Sequence, residues 1–224
     1  MSVEASVPAR KLPLLKLAAF AIVLAVLAGL SLRGVDLRGL AEQGMALIRQ
    51  AGPAAFFGAM VILPAFGAPL AAFTIPAGEA FEAQLGIATV IALSLAAIAI
   101  NLVIGYAVAR FALRPPLLAL LTRLGYAIPR ITPENALSVL LVVRFTPGPP
   151  YVVQTYILGV AQAPFRLYMI VSWLAVLPWA IGGIILGKGL FNGNFAVVVM
   201  GLGVLVVAGV LWQWLRTKLA RRED

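Results

Sequence analysis

Arg144 is a charged side chain inside the apolar stretch Ser138–Phe145, directly before Pro147-Gly148-Pro149-Pro150. A charge within the membrane costs about 2.5 kcal/mol or more on insertion scales, so it must face a partner or water. A guanidinium offers forked donors that match a phosphate group. The residue therefore predicts a phosphate-binding site, and the alternative is a structural tie to backbone carbonyls or to Glu79.

Glu79 and Glu82 lie close together in residues 77–82, just before another apolar stretch. A carboxylate near membrane depth can carry a transported proton or form an ion pair. The alternative is a pair of interfacial anions that cap the next helix. We predict proton coupling or ion pairing for this pair, with Glu79 the stronger candidate.

Asn101 and Arg110 are secondary candidates in and after the apolar stretch 85–109. An amide within such a helix can hydrogen-bond to a neighbouring helix, so packing is the first interpretation of Asn101. Arg110 ends the stretch and is first interpreted as an anchor that reaches the membrane surface.

Cysteine and histidine are both absent from the 224 residues. The sequence therefore lacks thiolate and imidazole nucleophiles, metal ligands and proton relays. No spaced pair of intramembrane acids is present either. We expect a protein that is not an enzyme and that binds no metal or cofactor.

The composition, 62% hydrophobic and 11% charged, leaves too little polar surface for a water-soluble globule. The net charge of +9 comes from Lys and Arg at the ends of apolar stretches and not from a basic stripe, so nucleic acid is not expected as a partner.

The chain is predicted to be one all-α integral membrane domain over residues 1–224. Its predicted transmembrane helices are 12–32, 85–109, 167–187 and 195–215, each near the 20 residues that a span needs.

Two further apolar stretches, 54–78 and 136–160, contain clustered helix breakers. A proline inside a helix costs about 3 kcal/mol, so several close together force a reversal. Each stretch is therefore predicted to be a re-entrant helical hairpin. The breakers are Pro64, Gly67, Pro69 and Pro76 in the first and Pro147, Gly148, Pro149 and Pro150 in the second.

The distribution of Lys and Arg favours re-entrant hairpins over two more spans. With four spans, 12 basic residues fall in the cytoplasm and 4 outside, whereas six spans give 8 on each side. The chain is thus predicted to be a multi-pass protein of the inner or plasma membrane, with both termini in the cytoplasm.

An internal repeat accompanies this arrangement. Residues 35–50 form an amphipathic segment followed by a hairpin and a span, and residues 115–187 repeat that order, with a helix start predicted at Thr132-Pro133. Phe66 and Phe145 occupy equivalent positions. Because the hairpins enter from opposite sides, we predict an inverted repeat, which is typical of transporters.

The second half resembles the DedA superfamily, in particular its VTT-domain branch, the SNARE-associated Golgi protein family. The resemblance covers about residues 50–190 and rests on three segments: Arg144-Phe-Thr-Pro147-Gly-Pro-Pro150-Tyr151, Tyr156-Ile-Leu-Gly159, and Ser172-Trp173 through Pro178.

The resemblance implies paired re-entrant hairpins and transport of lipids, since the family includes scramblases and undecaprenyl phosphate translocases. It implies a functional Arg144 and a possible acidic counterpart in Glu79. It extends the substrate site to the motif residues Pro147, Gly148, Pro150, Tyr151, Tyr156 and Gly159. The bacterial DedA branch has a second arginine where this chain has Pro150, which argues against undecaprenyl phosphate as the specific cargo.

The leading hypothesis is a protein that translocates or scrambles a lipid, either a phospholipid or a polyprenyl phosphate, through a polar groove between the hairpins. Membrane lipids are the expected partners, with protons as a possible coupling ion. The alternatives are a proton- or ion-coupled transporter of a small solute and a non-transporting assembly or scaffold protein.

The predicted topology places Arg123 in the cytoplasm and Lys188 outside. Single cysteines introduced at these positions in the cysteine-free chain should react with a membrane-impermeant thiol reagent from opposite sides of the membrane. Labelling of both from one side would contradict the topology.

Overall fold

The computed structural model describes residues 36–125, 131–146 and 149–220, and these residues form helices and turns with no β-strand. The predicted span 12–32 and the candidate residues Pro147 and Gly148 lie outside the described residues. The eight α-helices of the described residues are α1 (Leu37–Ile62), α2 (Ala71–Leu85), α3 (Ile87–Ala107), α4 (Arg114–Arg123), α5 (Ala136–Phe145), α6 (Tyr151–Val160), α7 (Phe165–Phe191) and α8 (Phe195–Ala220).

Three of the described helical segments are long and apolar enough to cross a membrane: Gly39–Phe66, Ile87–Ala112 and Phe165–Phe191. Helix α8 is apolar from Phe195 to Val210. An all-α membrane protein, as predicted, therefore describes this chain, because such helices satisfy their own backbone polar groups in lipid. The count of four spans stays a prediction.

The chain divides into two units, residues 1–47 and residues 48–224. In the described part of the first unit, the carboxylate of Asp36 accepts a hydrogen bond of 2.8 Å from the backbone N–H of Gly39 and so caps the start of α1. Arg144 and the residues that hydrogen-bond to it lie within the second unit.

The first predicted helix break is present between α1 and α2. A 3₁₀ turn covers Leu63–Phe66 and ends at Gly67, whose φ of 109° is in the left-handed region that glycine tolerates. The backbone of α1 also departs from helical geometry at Gly52, directly before Pro53. Pro76, by contrast, lies inside α2 without interrupting it, so its inclusion among the breakers was wrong.

The second break separates α5 from α6. Thr146 is extended, and its hydroxyl donates to the carbonyl of Val142 at 2.6 Å. The amide of Gln154 in α6 donates to the carbonyls of Thr146 and Pro149 at 3.4 and 3.3 Å. A side chain of α6 thus satisfies the carbonyls of the interruption that precedes it.

Helix α5 begins three residues after the predicted start at Thr132-Pro133, because residues 133–135 form a turn. In this turn the backbone N–H of Thr132 donates to the side-chain carbonyl of Asn135 at 2.8 Å. The side chain of Thr132 also hydrogen-bonds to Glu134 and lowers the pKa of that exposed carboxylate. These local bonds compete with the helix, as short polar side chains do near helix starts.

Each helix that follows a break packs on a long helix from the other half of the sequence. Helix α2 packs on α7, and α6 packs on α3. A β-carbon on Gly78 would lie 2.8 Å from the carbonyl oxygen of Ile184, and one on Gly159 would lie 3.1 Å from that of Tyr106. The two contacts are therefore equivalent, each joining a glycine of a short helix to the backbone of a long one.

A second pair of contacts repeats the same relation. A β-carbon on Gly105 would lie 2.9 Å from the methyl group of Thr155, and one on Gly183 would lie 2.9 Å from the hydroxyl of Thr74. Gly105 and Gly183 are 78 residues apart in the sequence, as are Tyr106 and Ile184. These contacts support an internal repeat; the orientation of its halves across the membrane stays a prediction.

Gly187 marks the closest approach of α7 to α2, since an added β-carbon would lie 1.8 Å from the carbonyl oxygen of Ile75. We expect Gly187→Ala to lower the unfolding free energy by about 1–3 kcal/mol, because the backbones must separate. Gly203→Ala in α8 is the control, since nothing lies within 4 Å of that position. Thermal unfolding in detergent should show a lower midpoint for the first variant only, and equal midpoints would contradict the close packing.

Candidate functional site

Arg144 is buried near the end of α5, with only 7% of its surface exposed. Its Nε donates to the hydroxyl of Ser172 at 2.8 Å, and its Nη2 donates to the hydroxyls of Thr155 and Tyr168 at 3.2 and 3.3 Å. Helices α5, α6 and α7 each contribute to this arrangement. The guanidinium therefore joins three helices that are separate in the sequence.

Two of the hydroxyl groups around Arg144 act only as hydrogen-bond acceptors toward it. Tyr168 donates its own hydroxyl hydrogen to the carbonyl of Leu102 at 3.1 Å, and Thr155 donates to the carbonyl of Tyr151 at 3.1 Å. Because these hydrogens are already used, both oxygens are acceptors toward the guanidinium. The site thus suits a cation that donates and accepts nothing in return.

Two aromatic rings flank the guanidinium. Its Cζ lies 5.5 Å from the ring centre of Tyr151 and 5.4 Å from that of Tyr168. At these distances the negative ring faces attract a cation by about 0.5–2 kcal/mol. The rings hold the orientation of Arg144 without neutralising its charge.

No carboxylate in the described ranges forms an ion pair with Arg144. Glu79 accepts from Arg49 at 2.7 Å, and Glu82 accepts from Lys188 at 2.7 Å. The suggested pairing of Glu79 with Arg144 is therefore not made, because Arg49 provides the cation. A role for the two acids in proton coupling stays a prediction.

The Nη1 atom of Arg144 is buried and has no hydrogen-bond partner in the part of the chain that the structure describes. A buried charged donor without a partner costs several kcal/mol, so it is rarely left this way without a reason. An anion that accepts from Nη1 would satisfy both the free donor and the uncompensated charge.

Asn101 links the two broken segments. Its amide nitrogen donates to the carbonyl of Val61 at 2.8 Å, and its oxygen accepts from the hydroxyl of Tyr151 at 3.1 Å. Asn101 is 1% exposed, so both bonds form away from solvent. The structure thus brings two predicted candidates together, and Tyr151 also contacts Arg144 through its ring.

Tyr156 connects α6 to the first break directly. Its hydroxyl donates to the carbonyl of Ala65 in the 3₁₀ turn at 2.6 Å. Gly159, one turn further on, lets α6 approach α3 closely. Tyr156 and Gly159 therefore position α6, and with it Tyr151, while neither hydrogen-bonds to the guanidinium in the described structure.

Arg110 and Arg114 lie at the far end of α6. Arg114 Nε donates to the carbonyl of Val160 at 3.2 Å, and Arg110 Nη1 donates to that of Ala163 at 3.3 Å. Cations at a helix C-terminus complement its partial negative charge. Both arginines thus stabilise the end of the helix that carries Tyr151 and Thr155.

Sequence reasoning missed Ser172, Thr155 and Tyr168 as partners of Arg144. A usable signal was present, because Tyr168 and Ser172 are four residues apart in an apolar helix and so share one face. Thr155, next to the predicted Tyr156, is 2% exposed. Small polar residues on one face of an apolar helix indicate a buried polar partner.

A buried arginine lined by hydroxyl groups, in a chain with long apolar helices, defines an all-α membrane protein with a buried polar site. Residues 68–189 match the family model of the VTT domain, and this range is more than half of the chain. The chain therefore belongs to the VTT-domain family, the DedA or SNARE-associated Golgi protein family, which confirms the resemblance. No curated protein and no solved structure matches the chain significantly.

The Arg49–Glu79 pair has side-chain exposures of 50% and 18%, so water screens it only in part. We expect a coupling free energy of about 0.5–1 kcal/mol in a double-mutant cycle of Arg49→Gln and Glu79→Gln, measured by chemical unfolding. Combining Glu79→Gln with Arg114→Gln is the control and should give additive effects. Additivity in both cycles would show that the pair contributes nothing to stability.

Proposed function

We propose that this protein moves a phosphate-bearing lipid across the bilayer and that Arg144 binds the headgroup. The unpartnered, buried Nη1 of Arg144 is the observation that carries the proposal. A phosphate oxygen is a strong acceptor with the opposite charge, and guanidinium matches its geometry. Membership of the VTT-domain family supports a membrane role of this kind.

The two broken segments form re-entrant hairpins in this proposal, and they shelter the headgroup while the acyl chains stay in lipid. The bonds from Tyr156 to Ala65 and from Asn101 to Val61 and Tyr151 support it, because they bring the segments together beside the long helix α3. Non-helical backbone at membrane depth is tolerated where protein or a water-filled cavity satisfies it.

The proposed topology has four spans in the inner or plasma membrane and both termini in the cytoplasm. The ion pairs of Glu79 and Glu82 then lie near the outer surface, at one end of α7, and Arg110 and Arg114 lie at the cytoplasmic end of α3. Arg144 lies between these charged ends, where a headgroup crossing the hydrocarbon gains most from a fixed positive charge.

Arg144 variants test the proposal in liposomes at matched protein content, with fluorescent phosphatidylglycerol as cargo. We expect Arg144→Met and Arg144→Lys to slow transbilayer movement by about tenfold or more, because loss of one charge-assisted bond costs at least about 1.5 kcal/mol. Lysine keeps the charge and loses the planar fork. Arg166→Met, at an exposed arginine early in α7, is the control.

Thermal unfolding of the same variants separates binding from folding. Arg144→Met should keep or raise the unfolding midpoint, because it removes a buried charge without an anionic partner. Transport by Arg144→Met at the parent rate would refute the headgroup role. A large fall in its midpoint would instead favour the scaffold hypothesis, in which Arg144 is structural.

A further inference from the structure

A second cleft with an arginine opens where α3 ends and α7 begins. Its volume is about 580 Å³, and its lining includes Tyr106, Arg110, Phe111, Gln162 and Phe165. Phe111 is 76% exposed and Phe165 is 44% exposed, so apolar surface surrounds the mouth. This combination of a cation and exposed aromatic rings suits an amphiphile with an anionic headgroup.

The backbone around the cleft is irregular in both of its walls. Residues Val108–Ala112 form a π-helical turn that contains Arg110, and Gln162 has a φ of 58° although it is not glycine. Single π-turns within helices occur often at functional sites, and a non-glycine residue in this region is uncommon. Both irregularities lie on the cleft lining.

Arg110 is held between two rings, as Arg144 is. Its Cζ lies 5.6 Å from the ring centre of Tyr106 and 5.5 Å from that of Phe111. Its Nη1 donates to the hydroxyl of Tyr106, which in turn donates to the carbonyl of Ala163. The neutral hydroxyl and carbonyl leave the charge of Arg110 without an anion in these contacts.

Two tyrosine rings connect this cleft with the buried site. The rings of Tyr106 and Tyr168 have centres 4.6 Å apart, and the hydroxyl of Tyr168 accepts from Arg144. Arg110 lies on the open side of this pair and Arg144 on the buried side. Ring contacts therefore link the two arginines, from Arg110 through Tyr106 and Tyr168 to Arg144.

We propose that the cleft binds the phosphate headgroup of a lipid at Arg110 and is the vestibule from which the headgroup passes to Arg144. A phosphate is a stronger acceptor for the guanidinium than the neutral hydroxyl of Tyr106. Binding therefore releases Tyr106 from Arg110 and loosens the first of the two rings between the arginines. The vestibule role rests on the proposed function, whereas the binding site itself does not.

Capping of α6 is the competing role for Arg110, and Arg114 provides the matched control. Arg114 also donates to a carbonyl at the end of α6 but does not line the cleft. A variant of either arginine removes a cap and a charge, so capping predicts equal effects. Phosphate binding in the cleft predicts an effect at Arg110 alone.

Photocrosslinking tests the site in the full chain in maltoside micelles, which contain no phosphate. Phe111→benzoylphenylalanine places the probe at the mouth of the cleft, and Phe191→benzoylphenylalanine, 43% exposed at the other end of α7, is the control position. The ligands are dioctanoyl phosphatidic acid and the neutral dioctanoyl glycerol, and capture is measured from the mass of the intact protein.

We expect the probe at position 111 to capture the phosphatidic acid and little of the neutral lipid, with no such preference at position 191. Arg110→Gln should reduce capture by about tenfold, the effect of losing a charge-assisted bond, while Arg114→Gln should leave it unchanged. Equal capture of the two lipids, or equal loss in the two variants, would overturn the site. If Arg110→Gln does not fold, the site is still tested by comparing capture of the two lipids at position 111 in the chain that retains Arg110.

Arg144→Met separates this inference from the proposed function. We expect it to slow transport by about tenfold or more while capture at position 111 persists, which supports a vestibule upstream of Arg144. Loss of capture in Arg144→Met would overturn the inference that the site at Arg110 is separate from the site at Arg144. Persistent capture together with unimpaired transport would refute the proposed function and the vestibule role, and it would leave the binding site at Arg110 supported.

Discussion

The desolvation cost of the buried Arg144 guanidinium is the constraint that the surrounding helices must meet. Helices α6 and α7 must bring Thr155, Tyr168 and Ser172 to the guanidinium on α5, because a desolvated cation needs hydrogen-bond acceptors. The acceptors are neutral, so they fix the position of the charge and leave it available. A carboxylate in their place would satisfy the cation and close the site to an anion.

Helix interruption and close packing make that convergence possible. The second break limits α5 and α6 to 10 residues each, so Arg144 near the end of α5 lies close to Tyr151 at the start of α6. Glycines at the contacts of α2 with α7 and of α6 with α3 then remove the side chains that would keep the helices apart. Bonds from Tyr156 and Gln154 satisfy backbone carbonyls that the breaks expose.

The two halves share a scaffold but differ in chemistry. Ser94 and Ser172 are 78 residues apart, the separation that also relates the equivalent glycines of α3 and α7, and both serines are fully buried. Ser172 accepts from Arg144, whereas the hydroxyl of Ser94 has no partner within the described residues. The buried arginine therefore distinguishes the second half from the first at this pair of equivalent serines.

The sequence by itself determined the features that depend on local composition. Apolar length indicated membrane helices, clustered prolines indicated both breaks, and the isolated arginine indicated a buried polar site. Each of these features depends on a residue and its immediate neighbours in the sequence. Only the tertiary structure decided the partners. Glu79 pairs with Arg49 and not with Arg144, and Arg144 bonds to residues up to 28 positions away, because helix packing selects which side chains meet. The glycine contacts that decide this packing depend on two helices at once, and no local pattern records them.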